Sequence, residues 1–405
     1  MYEELLYNMW KESWWGGEFY TPRPVVKFLV RLVWLEINNN IKILDPFAGS
    51  GWFLVESYKY LLEKYNEEEI SKKCKFIWFE KKFEGYLIWI MNLFLHWIKN
   101  FDYELWNTFA RKKETFEWKF DYILTNPPFG AKEFKDTLEK SDWIEFKNLA
   151  TEALGLEFVL KALKPKWKAV VILPSWQVLS WSWTFKELRK YLLKNFNLKY
   201  IINLPQGVFA ENWTNINTTA LVFDKGTKTT NTTIIHILWK YTKKKTIKFD
   251  ELEPIINYLN WKSNKPDNIL VWNINWNEIF RIEDEINNLI KNFSKKADKE
   301  ILNFFYKDFF ESEVFKNKQS IDKLYLKQLV NDFKKEPTKE NKNKLLKELE
   351  NELKKIDYSF VKKFEEKQEK VELNDLINLM DWILDWLNTC FKDIKKDLKI
   401  LTKLN

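Results

Sequence analysis

Glycine is scarce in this chain, at 9 of 405 residues, about 2% where roughly 7% is usual. Glycine-rich linkers and collagen-like repeats are thereby excluded. Histidine and cysteine are scarcer still, with two of each: His96, His236, Cys74 and Cys390. Neither a Cys/His zinc cluster nor a disulfide framework can be assembled from so few, and a histidine-dependent triad is disfavoured. No metal site is expected. No uninterrupted apolar run approaches the roughly 18 residues of a membrane span, and no signal-peptide pattern opens the chain. A protein working in a reducing cytoplasm, away from membranes, is the expectation. What is plentiful is tryptophan, at 22 residues, against a background of 45% hydrophobic and 31% charged residues with room for two or three domains. Glycine and tryptophan together sum to about what the pair normally supplies.

Charge is distributed unevenly. Residues 251–405 hold 29 acidic and 29 basic side chains, so the whole formal charge of +8 resides in residues 1–250. A basic first half suits a polyanionic partner, although a solvated lysine-rich surface gives the same count.

From residue 41 to about 240, short β-rich runs alternate with helical stretches: IKILD (41–45), KFIWFE (75–80), FDYILTN (120–126), KAVVILP (168–174), YIINLP (200–205) and TTALVFD (218–224). Such alternation predicts an α/β fold with a doubly wound, mostly parallel sheet. Beyond about residue 275 the composition turns to Lys, Glu, Asn and Leu without strand signal. Leu346, Leu349, Leu353, Ile356 and Phe360 form one apolar helix seam, and Leu376, Leu379, Ile383, Leu387, Cys390, Ile394, Leu398 and Leu401 form another. These seams predict packing as a hairpin or against a partner.

Two motifs carry chemistry. Asp45-Pro46-Phe47-Ala48-Gly49-Ser50-Gly51 stands between a strand and a helix, where glycines let the backbone approach a ligand and a helix N-terminus offers N–H groups. Glu80 closes the next strand, where a carboxylate can accept both hydroxyls of a ribose. The second motif, Asn126-Pro127-Pro128-Phe129, ends the strand FDYILT. The Asn126 side-chain carbonyl and the Pro127 main-chain carbonyl can each accept one N–H of an exocyclic amine, the prolines stiffen the pair, and Phe129 offers a stacking face. Pro-Pro after a strand also serves as a plain strand terminator.

With GGEFYTPRPVV (16–26), NLFLHWI (92–98), LKPKWKAVVILP (164–174) and LPQGVF (204–209), these motifs resemble the N6-adenine DNA methyltransferases, and among them the modification subunit of type I restriction-modification systems. The resemblance covers residues 14–240. It implies a Rossmann-like methyltransferase sheet followed by an all-helical C-terminal region, divided as a lead-in over 1–40, a catalytic domain over 41–245 and a partner-binding tail over 246–405. It implies S-adenosylmethionine held by Asp45, Phe47, Gly49, Gly51 and Glu80, with Tyr20, Thr21 and Pro22 closing over its methionine end. Asn126, Pro127, Pro128 and Phe129 would hold an adenine flipped from double-stranded DNA. A specificity subunit, a restriction subunit and two copies of this chain per complex are the implied assembly. RNA adenine, a protein glutamine amide, or a non-catalytic scaffold role are the alternatives the residues leave open.

The sequence departs from the family pattern in three ways. Trp106-Asn107-Thr108-Phe109 stands where Gly-Asp-Thr-Leu is usual, so Asn107 replaces an acidic contact expected near the target base. About 15 residues precede GGEFYTP, so the family's helical N-terminal domain is either missing or lies before the assigned start. Tryptophan stands where the pattern has glycine at Trp52, Trp78, Trp97, Trp167, Trp176, Trp181, Trp183 and Trp213. Coincidences of one kind point to UGA codons that specify glycine and have been translated as tryptophan. Trp382 and Trp386, in the last helix, need not belong to that set.

Overall fold

The structure, a computed structural model, describes residues 21–81, 90–139, 141–146, 150–175, 183–210, 216–242, 245–293, 296–316 and 320–355. Chain contacts divide it into two units, Met1–Arg281 and Ile282–Asn405.

The first unit is built on a nine-stranded sheet: β1 (Ile41–Asp45), β2 (Cys74–Glu80), β3 (Phe101–Leu105), β4 (Phe120–Thr125), β5 (Leu163–Pro174), β6 (Phe196–Asn203), β7 (Thr218–Lys225), β8 (Asn231–Ile237) and β9 (Ile269–Asn275). Their spatial order is β3-β2-β1-β4-β5-β7-β6-β8-β9. β7 and β9 run against the other seven strands. The expected doubly wound, mostly parallel sheet is therefore present. The interior strands are continuous apolar runs because helices cover both of their faces; every residue of β4 is buried.

The topology positions the site. The chain leaves β1 outward to β2 and β3, then returns to lay β4 on the other side of β1. Where strand order reverses in this way, a crevice opens beyond the carboxyl ends of the two central strands. Helix α1 (Arg23–Val33) follows Pro22 as its N-cap, carries Pro24 in its first turn, where a missing N–H costs no helix hydrogen bond, and buries Val25, Val26, Phe28 and Leu29. Helix α2 (Trp52–Leu62) follows the glycine loop, α3 (Thr151–Ala162) precedes β5, and α4 (Trp183–Asn195) precedes β6.

The region from residue 246, expected to be all-helical, contains a strand. Helix α5 (Phe249–Leu259) packs on α1 through Leu252, Ile255 and Ile256. β9 then pairs antiparallel with β8, setting Ile269 opposite Ile237 and Trp272 opposite Ile234. The apolar run of β9 is short and framed by asparagines, so its strand character comes from cross-strand pairing rather than from local pattern.

In the second unit, α6 (Ser320–Lys335) and α7 (Lys339–Lys355) pack together. The buried face of α7 carries Leu345 and Leu349; of the expected seam Leu349 is buried, Leu346 and Leu353 are half-buried, and Ile356 and Phe360 lie outside the described residues. The expected seam over 376–401 lies outside the described residues. Among the described residues no helix is long and apolar enough to cross a membrane, and no group of His, Cys, Asp and Glu is placed to hold a metal ion.

Candidate active site

Asp45 closes β1 and is almost fully buried. Its Oδ1 accepts the Thr125 hydroxyl at 2.7 Å and the Phe47 N–H at 3.1 Å. Burial pushes the carboxyl up to about 7, against the pull of those two donors, and the neighbouring charge of Glu80 pushes the same way. Glu80 Oε2 accepts the Gly49 N–H at 3.0 Å while Oε1 accepts the Lys81 N–H at 2.8 Å. Two carboxylates, one per adjacent strand, thus anchor the loop at both ends.

The loop bends at Gly49 (φ 48) and Gly51 (φ 77), backbone states open to glycine at little cost. Gly51 starts α2 without a side-chain cap, so the first N–H groups of that helix face the crevice end of the loop. Asn92 donates to the Ser50 carbonyl at 2.6 Å and Thr108 donates to that of Pro46 at 2.6 Å. Carboxylates that accept hydroxyls, glycines that admit the backbone and a bare helix start match the donor set a nucleoside cofactor requires.

Asn126-Pro127-Pro128-Phe129 leaves β4 on the opposite wall. The Asn126 Nδ2 donates to Thr21 Oγ1 at 3.0 Å, so the FYTP segment touches the tetrapeptide. Tyr20 lies outside the described residues, and Pro22 begins α1. Helix α3 clamps the remainder: Thr151 donates to the Pro128 carbonyl at 2.8 Å, and the Glu152 carboxylate accepts the Gly130 N–H. Burial raises the Glu152 carboxyl above its ordinary range, opposed by the Gly130 N–H. Gly155, one turn on, has no room for a side chain. A Cβ there would stand 2.7 Å from Pro127 Cγ and 3.2 Å from Phe47 Cε2.

Phe129, expected to present a face to a base, is 5% exposed and meets Phe209 edge-on at 6.1 Å. In this conformation its ring anchors the tetrapeptide to the 204–209 segment. Asn107 starts a short turn after β3. β2 and β1 separate that strand from β4, and the Asn107 side chain accepts the Phe109 N–H at 3.1 Å, capping the turn. The neighbouring Trp106 N–H donates to the Glu80 carbonyl at 2.9 Å. The turn that Asn107 caps also packs on α3, with Thr108 and Phe109 meeting Pro46 and Phe47 of the glycine loop.

Sequence reasoning missed Thr125, Thr151, Glu152 and Gly155. Asn92, which opens NLFLHWI, and Thr108, in Trp106-Asn107-Thr108-Phe109, stood inside motifs already singled out. Beyond Thr21, the cations Arg23, Lys27, Arg31 and Lys59 share a cavity of about 300 Å³ with Glu56 and Glu63. Arg23 pairs with Glu56 at 2.7 Å and Arg31 with Glu63, leaving an excess of two positive charges around the cavity.

The chain matches the N-6 DNA methylase family over residues 1–302. It is 30% identical over 276 residues to the type I restriction enzyme EcoEI methylase subunit of Escherichia coli, an alignment covering 66% of this chain and 54% of that subunit. Identity to the EcoKI methylase subunit of Escherichia coli K12 is 27% over 241 residues, covering 56% and 44%. A crystal structure assigned as the modification subunit of a type I restriction enzyme from Vibrio vulnificus YJ016 superposes with a TM-score of 0.61 at 30% identity, covering 69% of this chain and 59% of that one. The chain spans about half the length of the relatives it matches. With the family match running across the glycine loop and Asn126-Pro127-Pro128-Phe129 alike, this chain belongs to the N-6 DNA methylase family.

Proposed function

We propose that this chain transfers a methyl group from S-adenosylmethionine to the N6 amine of an adenine flipped out of double-stranded DNA, as the modification subunit of a type I restriction-modification system. The observation that carries the reading is the facing of two loops at the strand-order reversal: Asp45 to Gly51 on β1 and Asn126 to Phe129 on β4, joined by the Thr125–Asp45 hydrogen bond.

Bound S-adenosylmethionine would supply an electrophilic methyl on a sulfonium. Asp45, Phe47, Gly49, Gly51 and Glu80 would hold it, and Thr21 and Pro22 would border its far end. Asn126 Oδ1 and the Pro127 carbonyl accept the two N–H groups of the target amine and turn its lone pair toward the methyl. A nitrogen–carbon bond forms as the sulfur–carbon bond breaks, and the amine then releases a proton to solvent. Orientation and fixed dipoles supply most of the acceleration, which is consistent with a site built without histidine. Cations along α1 favour a polyanion such as the DNA backbone.

The relatives are methylase subunits of type I restriction enzymes; by analogy a specificity subunit selects the DNA sequence, two copies of this chain serve it, and a restriction subunit completes the complex. The test incubates the purified chain and labelled cofactor with a defined DNA library, RNA and protein acceptors. N6-methyladenine in DNA, weak and without sequence preference until a specificity subunit is added, is the expected outcome. Label only in RNA or in glutamine overturns the acceptor, efficient methylation of one sequence by the chain alone overturns the partner, and no transfer with any acceptor overturns the enzyme.

A further inference from the structure

We propose that Thr21 is a positioning residue for Asn126, an inference that rests on the function proposed above. An asparagine amide has a broad, two-fold preference about its last torsion, and its two ends offer opposite chemistry. Turned one way it presents an acceptor to the target amine; turned the other way it presents N–H to N–H. The structure holds the first arrangement: Nδ2 donates to the Thr21 hydroxyl oxygen at 3.0 Å across 105 residues of sequence, and Oδ1 is the end presented to the target. Thr21 is nine-tenths buried, and the next residue, Pro22, accepts the Val25 and Val26 N–H groups at 2.9 and 3.1 Å, tying the segment to a helix sunk in the core.

Thr21→Val keeps the shape and removes the acceptor, whereas Thr21→Ser keeps it. Thr21→Val should lower kcat about tenfold, and Thr21→Ser should restore it. The Asn126 side-chain signals in a ¹H–¹⁵N spectrum should shift in Thr21→Val and not in Thr21→Ser. Unchanged kcat in Thr21→Val, equal losses in both variants, or unmoved Asn126 signals overturn the proposal. Should the unaltered chain transfer no methyl at all, the proposed function fails, while the spectrum still decides the contact.

A separate observation concerns tryptophan. We infer that the natural protein carries glycine at residues 34, 97, 118 and 261. Among the described residues five that are not glycine have positive φ, and four are Trp34, Trp97, Trp118 and Trp261, with φ between 51° and 58°. Such a backbone state crowds a Cβ, and asparagine is its usual second choice after glycine; none of the five is asparagine. Two of the positions are helix ends of a defined kind. Ile98 N–H donates to Leu93 and Trp97 N–H to Phe94; Lys262 N–H donates to Asn257 and Trp261 N–H to Tyr258. These paired bonds form the Schellman motif, whose left-handed position is characteristically glycine. Trp34 is the left-handed C-cap of α1. All four indoles are exposed, Trp261 to 94%; the stacking of Trp97 on Phe94 and the placement of Lys225 over Trp118 are surface contacts that do not require a left-handed backbone.

Of the positions picked out by family pattern, only Trp97 belongs to this set; Trp34, Trp118 and Trp261 are new. Trp52, Trp78 and Trp167 are outside the left-handed set, Trp183 opens α4, and Trp176, Trp181 and Trp213 lie outside the described residues. Two measurements decide the matter. The gene should carry UGA at all four codons, and peptides of the protein from its natural source should be lighter at each position by the difference between tryptophan and glycine. UGG codons, or tryptophan in those peptides, overturn the inference. As a physical control at the exposed position 261, Trp261→Gly should exceed Trp261→Ala in folded-to-unfolded ratio by about fivefold or more; equality of the two would refute the backbone argument.

Discussion

The two loops that face each other across the crevice are built on opposite principles. The segment from Asp45 to Gly51 is shaped by backbone freedom: left-handed glycines, a bare helix start, and carboxylates that hold N–H groups. The segment from Asn126 to Phe129 is shaped by restriction, with two prolines, an aromatic anchor, and side chains of α3 locking its carbonyls and amides. A loop that wraps a flexible cofactor benefits from close backbone approach, whereas one that aims a lone pair benefits from stiffness.

The largest effect expected from breaking this contrast is on rate alone. Asn126→Ala should reduce methyl transfer on the order of 10²-fold or more while S-adenosylmethionine binding, followed by calorimetry, stays near normal; near-normal turnover would remove Asn126 from its role. Asp45→Asn acts on the other loop and on stability. The native carboxyl holds its proton up to about pH 7, against an ordinary value of 3.8. Between those pH values the native state binds more protons than the unfolded chain, so stability falls as pH rises through that window and is level on either side. The loss is of order a few kcal/mol. Asparagine keeps the acceptor for Thr125 and Phe47 but cannot titrate, so urea midpoints of the variant should lose this fall between pH 4 and 7 and its cofactor binding should weaken. A variant that kept the wild-type slope would assign it to another group.

Gly155→Ala tests the wedge that both loops share. A methyl group 2.7 Å from Pro127 forces one loop or the helix to shift, at a cost of about 1–3 kcal/mol, and both kcat and cofactor affinity should drop. A loss confined to one of them would show that only one loop yields. Smallest is Gly51→Ala, whose φ of 77° should cost about 1–2 kcal/mol and weaken cofactor binding, with the rate at saturating cofactor little altered.

The comparison also shows where sequence reading reaches. β1, β2 and β4 through β7 are legible because strands buried on both faces must be continuous apolar runs. β3 is not, since all five of its residues are exposed at an edge, and β9 becomes a strand through its partner. The glycine loop and the tetrapeptide are contiguous and could be read directly. The α3 clamp joins residues more than 20 positions apart, and Thr21 meets Asn126 across 105; no local pattern records either.

The space at Gly155 has a thermodynamic meaning as well. Pro127 and Phe47 border Gly155 from opposite loops, so a side chain at that position would press on both. Any coupling between cofactor and flipped adenine that passes through this contact is reciprocal: whatever factor the cofactor contributes to affinity for the adenine, the adenine returns to affinity for the cofactor.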